Sequence, residues 1–213
     1  VILPKGRLRR VVEINVNGVL ANPGTADGWC DRAVTLAHTK FGIHGEKWEH
    51  WSGLLTRHIW QEKRAIGVAA LADKYLASGW QVFLRGHSNG CDVICRALPY
   101  LRHGAIAGAQ LVAAACEADF SKNGLNDALV SGRLSRVVLC CSADDRALWA
   151  ARITHPLLNL AANGYGSLGF TGPLAVADAI EHRVRTHWRP GFDHGTWLNP
   201  ENLFGTMTLL HAA

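Results

Sequence analysis

Short β-branched and apolar runs recur along this chain, each followed by a longer stretch with helical spacing, and that alternation leaves few folds open. Val11-Val12-Glu13-Ile14-Asn15-Val16 alternates apolar with polar residues and breaks at Asn17-Gly18, as a strand ending in a turn does. Further strands are expected at 80–85, 109–115, 136–141 and 183–188, with a shorter one at 46–51. Helical spacing covers 31–40, 58–76, 89–102, 147–160 and 174–181, and a last helix begins near Pro200. The segment 117–126 reads as a loop. Strands joined by crossovers of ten or more residues pair in parallel, and a parallel sheet must be covered on both faces. The expectation is an α/β fold: a mostly parallel central sheet of about six strands, flanked by helices on both faces.

The 213 residues carry no Pro/Ser/Gly-rich linker, so one domain over residues 1–213 is expected. A content of 48% hydrophobic and 18% charged residues excludes disordered and collagen-like classes. The net charge of +5 raises a nucleic-acid partner, but the basic residues are scattered. Their one cluster, KGRLRR at 5–10, reads as a solvated entry to the first strand, so no nucleic acid is expected. Six cysteines fall mostly in apolar positions with no metal-site spacing, which predicts buried free thiols and favours a soluble, cytoplasmic setting. No run approaches the roughly 20 apolar residues of a transmembrane helix, and no signal peptide is visible.

In a sheet of this kind reactive groups collect at the carboxyl ends of the strands. One such end carries GHSNG, Gly86 to Gly90, between an expected strand and an expected helix. A serine held on a sharp strand-to-helix turn needs small residues two positions to either side, because the backbone there passes close by. The helix that follows aims its first N–H groups, including that of Asn89, at the place where an oxyanion would form. A serine hydroxyl needs an imidazole to accept its proton and a carboxylate to fix that imidazole's tautomer. Later strand ends supply Asp144 and Asp145 in one turn, Asp119 in an earlier loop, and His194 after the last strand.

Together with the turn NGVLANPGTADGW after the first strand, GHSNG, SADDRAL and DHGTW resemble the α/β-hydrolase fold, specifically its small cap-less serine esterases and lipase-like hydrolases. The resemblance spans nearly the whole chain. It implies a carboxylesterase-type serine hydrolase, with Ser88 as nucleophile, His194 as base and Asp145 as acid, that works through an acyl-enzyme. Asp145 is preferred over Asp144 and Asp119 because the pattern Ser-x-x-Asp-x-Ala-Leu is similar to members of that group. The backbone N–H groups of Asn89 and Val19 are the expected oxyanion donors, and Asn17-Gly18 stands where that group more often has His-Gly. Asn17, Gly18, Leu20, His87, Trp48 and Trp51 are expected to border the substrate, and Trp197 to brace the histidine loop. Trp80, Trp149 and Trp188 read as packing residues. No metal or organic cofactor is implied. The partner is an ester, small or presented on a surface, and a thioesterase, a lipase or polyesterase, an acyltransferase, or a non-catalytic binding protein of the same fold are the alternatives.

Overall fold

A computed structural model describes residues 10–18, 28–49, 57–150 and 166–211, with backbone only at 57–59. Six strands form one parallel sheet in the order β2-β1-β3-β4-β5-β6. They are β1 (Val11–Val16), β2 (His44–Trp48), β3 (Gln81–His87), β4 (Gly108–Val112), β5 (Val137–Cys141) and β6 (Val184–Trp188). β1 lies one strand in from an edge; β2 is laid outside it as that edge, and the chain then crosses back to β3 and works across to the other edge. Strand order therefore reverses between β1 and β3, the position at which a parallel sheet opens a crevice at its carboxyl edge.

Period two sorts each strand's side chains to two different interiors. Val12, Ile14 and Val16 of β1 join Val82 and Leu84 of β3 in a core closed by α2 (Arg57–Ala77) and α3 (Asn89–Ala97). Ala65, Val68, Ala69 and Ala72 form the α2 side of that core at helical spacing. The other face is covered by α1 (Trp29–Leu36) and by the C-terminal helix Pro200–His211, around Trp29, Cys30, Ala33, Val112, Cys140, Trp197 and Met207.

Beneath that second cover the sheet also carries buried polar side chains. Glu13 and Arg85 are fully buried and form an ion pair, and the Arg85 guanidinium also donates to Asn15 (3.3 Å) and to Gln110 Oε1 (2.6 Å). Gln110 passes the network on to the carbonyl of Thr206 at 2.7 Å, and His211 Nε2 meets Glu13 Oε2 at 2.7 Å. The C-terminal helix is thus fastened to the sheet by charge and hydrogen bonds as well as by apolar packing. Burial by itself would raise the Glu13 carboxyl, but the Arg85 charge and the His211 contact outweigh it and hold the group below its ordinary range.

Three expectations need correction. The segment 174–181 is not a helix: Leu174 follows Pro173, exchanges backbone hydrogen bonds with Ala118 and Phe120, and a 3-10 helix begins only at Asp178 (Asp178–Arg183). The loop expected at 117–126 runs into a helix, Leu125–Val130, whose six residues are too few for a period to register in the sequence. Trp149 and Trp188 are about half exposed, at 54% and 48%. Trp188 ends β6, which pairs on one side only, so it has no second strand to pack under. All six cysteines are free and buried, as their apolar settings predict.

Candidate active site

Ser88 sits between β3 and α3 with φ 55° and ψ −125°, a conformation a non-glycine residue adopts only under restraint. The restraint is visible in the backbone: Ser88 N–H donates to Val112 of β4 at 3.0 Å, and its carbonyl accepts from Cys91 and Ala115, both at 3.1 Å. The flanking glycines are required by contact. A Cβ on Gly90 would lie 2.4 Å from the carbonyl oxygen of Val16, and one on Gly86 2.9 Å from the backbone of Gly90 and Cys91. The elbow is therefore wedged against the end of β1, and Gly18, one residue past Asn17, lies so close that its Cβ would stand 3.1 Å from that of Ser88. Asn89 opens α3 directly after the serine and is fully buried.

The turn after β5 positions the carboxylates. Asp145 immediately precedes a helical stretch over 146–150, and its Oδ1 accepts the Leu148 N–H at 2.9 Å, as an N-cap does. That leaves Oδ2 facing His194 Nδ1 at 2.8 Å, with Asp145 99% removed from solvent. Asp144 points the other way, and its Oδ2 accepts the Gly191 N–H at 2.6 Å. Asp193 Oδ1 accepts the N–H groups of His194 (2.7 Å) and Arg146 (3.3 Å). The histidine loop is stapled to the acid turn through these two aspartates, and Phe192 packs edge-on against Trp197 with ring centroids 4.9 Å apart. Asp119 is occupied locally, by Ser121 N–H and hydroxyl at 2.9 and 2.6 Å and by Lys122.

His87 has a part the sequence did not disclose. Its Nε2 donates to the His194 carbonyl at 2.9 Å, and the two rings lie 4.8 Å apart, with Trp29 edge-on to His87 at 6.3 Å. Burial first, and then the neighbouring imidazole, push His87 down to about 3, so it stays uncharged at neutral pH. His87 therefore adds no charge beside the His194 ring. Among the described residues no hydrogen bond joins Ser88 Oγ to the His194 ring; the two are linked through His87, which precedes the serine and touches the histidine.

Trp48 lies away from this cluster, its ring packed on Gly67 of α2, while its carbonyl accepts the Asn17 N–H at 3.4 Å. Val19, Leu20 and Trp51 fall outside the described residues. A recess lined by Asp144, Asp145, Arg146, Trp149, Gly191 and Asp193 opens on the acid side of the cluster. Asp193 and His87 were missed as supporting residues; the Asp-His dipeptide, an acid beside the base, was the available signal for the first.

No family model matches this chain, and no curated protein sequence matches it. Solved structures do. The esterase domain of a Rhodothermus marinus protein superposes with a TM-score of 0.55 over 97% of this chain and 86% of its own, at 11% identity. A thermophilic esterase from Thermogutta terrifontis gives 0.53 over 94% and 79%, at 12% identity. A putative hydrolase from Agrobacterium vitis gives 0.52 over 95% and 86%, also at 12%. The chain has the α/β-hydrolase fold. Within an α/β-hydrolase fold the strand order, the elbow after β3 and the loops after β5 and β6 all converge on the carboxyl edge of the sheet. At these identities the likeness is one of backbone fold.

Proposed function

We propose that the protein is a serine hydrolase of the carboxylesterase type. The observation that carries this reading is the bond from His194 Nδ1 to the buried Asp145 carboxylate, formed beside a serine held at a strained strand-to-helix turn. The order serine, acid, histidine along the chain is the one this fold uses for acyl transfer. Two of the three structurally similar proteins named above are esterases, which supports an ester as the substrate class.

In the proposed reaction Ser88 Oγ bonds to the ester carbonyl carbon while His194 Nε2 takes the hydroxyl proton. Asp145 keeps the Nδ1 proton in place and stabilises the imidazolium. The carbonyl oxygen becomes an oxyanion held by the Asn89 N–H and by a second N–H from the turn beginning at Asn17-Gly18, for which Val19 is the candidate. The tetrahedral intermediate collapses, the C–O bond to the alcohol breaks, and His194 returns its proton to the leaving oxygen. Water, deprotonated by His194, then cleaves the acyl-Ser88 ester. Because Ser88 Oγ and the imidazole are not bonded in the free protein, the pair must close when substrate fills the site, as catalytic hydrogen bonds commonly do.

The test is reaction with a fluorophosphonate probe, followed by mapping of the labelled peptide. Labelling of Ser88 in the wild type and its loss in Ser88→Ala is expected, along with turnover of p-nitrophenyl esters. Retained labelling in Ser88→Ala would falsify the assignment. Matched ester, thioester and amide substrates then separate an esterase from a thioesterase or peptidase on the same residues.

A further inference from the structure

Gln61 and Arg64 stand three apart on α2, so they share one face of that helix. Both are buried, at 5% and 0% exposure, inside a stripe that is otherwise apolar. Gln61 Nε2 donates to Asn89 Oδ1 at 3.3 Å and to the Asp92 carboxylate. Arg64 Nη2 donates to both oxygens of Asn17, the backbone carbonyl at 2.9 Å and the side-chain amide at 3.1 Å. Asn89 begins α3, and Asn17 begins the turn that brings Gly18 against Ser88. One turn of α2 thus grips both elements that would flank an oxyanion, and nothing in the serine–histidine–aspartate arrangement requires that grip.

We propose that Gln61 and Arg64 are positioning residues for the oxyanion site, holding Asn17 and Asn89 in place on either side of Ser88. This rests on the reading of Ser88 as the nucleophile. The mechanism is geometric. A carbonyl and the N–H of the next residue lie in one rigid peptide plane, so holding the Asn17 carbonyl fixes the Gly18 N–H and the start of the turn that lies against Ser88. A charge-assisted donor to that carbonyl is stronger than a neutral one and polarises the peptide it holds. Burial draws Arg64 down to about 10, which still leaves it charged at neutral pH. Gln61 does the corresponding work on the Asn89 side, through the side chain of the residue whose N–H is the first donor. Oxyanion donors act on the transition state, so errors in their placement should appear in kcat and leave substrate affinity in place.

The experiment compares Arg64→Lys, Arg64→Met and Gln61→Met with the wild type. The readouts are kcat and KM on p-nitrophenyl butyrate and inhibition by an alkyl trifluoromethyl ketone, whose serine adduct carries the oxyanion. Arg64→Lys keeps the charge, but its side chain is one bond shorter and its ammonium stops short of the point from which Nη2 reaches both Asn17 oxygens, so kcat is expected to fall about tenfold to a hundredfold with KM within about twofold. The inhibition constant should rise by the factor lost in kcat/KM. Gln61→Met should show the same pattern at about tenfold or less. Should Arg64→Met not fold, the other two variants decide. Folded variants with wild-type kcat and inhibition constant, or with the loss confined to KM, overturn the positioning role while fluorophosphonate labelling of Ser88 persists. A wild type that is not labelled at Ser88 overturns the nucleophile and this role together.

Discussion

Replacing Asp145 by Asn tests the assigned acid most directly, because the two hydrogen bonds of its carboxylate set what an amide can do there. Oδ1 accepts the Leu148 N–H at 2.9 Å and Oδ2 accepts from His194 Nδ1 at 2.8 Å. An Asn has one oxygen for these two donors. If the oxygen stays on Leu148, the amide NH2 faces His194 Nδ1 and stabilises the tautomer whose proton is on Nε2, which cannot accept from serine. If the oxygen turns to His194, the NH2 faces the Leu148 N–H and a buried donor loses its partner, at about 1–3 kcal/mol. The first arrangement therefore wins, leaving about one molecule in 5 to 150 in the productive tautomer. Loss of the negative charge beside the imidazolium lowers the rate of that remainder further. Together these give an expected fall in kcat of about four orders of magnitude, or about 5.4 kcal/mol. Stability should change little, because Asn caps a helix about as well as Asp. The assay is p-nitrophenyl butyrate turnover with a thermal melt on the same sample. A variant keeping more than about a fifth of wild-type kcat would refute the reasoning, since that exceeds the largest share the productive tautomer could hold. So would a fall of the same size, with an unchanged melt, in Asp144→Asn or Asp119→Asn.

Three other outcomes follow from packing and charge. Gly90→Ala puts a Cβ 2.4 Å from the Val16 carbonyl oxygen, a backbone atom that cannot swing aside, and should destabilise by about 1–3 kcal/mol or more in urea unfolding. Gly205→Ala, in open space on the C-terminal helix, should instead stabilise by about 0.5–1 kcal/mol, and equal effects at the two sites would sink the contact argument. Glu13→Gln, which leaves Arg85 buried beside a neutral partner, should cost about 3–5 kcal/mol at pH 7. The Glu13 carboxyl titrates below its ordinary 4.5 in the folded chain, so its stabilisation is full above that pH and is lost as the pH falls through the folded value. Urea midpoints of wild type and Glu13→Gln should therefore converge below about pH 4.5, and parallel curves would contradict the pairing. Burial holds Cys140 and Cys141 up at about 12 and all six thiols are enclosed, so a thiol reagent should titrate none in the native protein and six after denaturation.

What could be read from the chain was whatever local sequence physically decides. The elbow was legible because its strain needs small residues at fixed offsets from Ser88, and Gly86 and Gly90 occupy them. The strands were legible from their β-branched runs, but what lies over each face was not. The alternation in Val11–Val16 puts Glu13 and Asn15 on one face, which in a sequence looks like a face toward water. In the fold that face is sealed by the C-terminal helix, and the partner that closes over Glu13 is His211, 198 residues away. Asp144 and Asp145 could not be separated by period, yet the helix starting at 146 makes Asp145 its cap and turns Asp144 outward to Gly191. The helix-start rule applied to Asp145-Arg146-Ala147-Leu148 would have made that distinction.

The same lesson bears on α2, where the apolar members Ala65, Val68, Ala69 and Ala72 were enough to predict a helix and to orient it. Gln61 and Arg64 continue that stripe toward the helix start, and on a solvent-facing helix end they would need no explanation. Extending the period backward places both on the buried face, where a polar side chain is rare unless something receives its hydrogen bonds. The receivers are Asn89 and Asn17, one on each side of Ser88. A polar interruption of an apolar stripe, near the end that approaches the carboxyl edge of the sheet, is thus a sequence signature of a helix that reaches the site as well as the core.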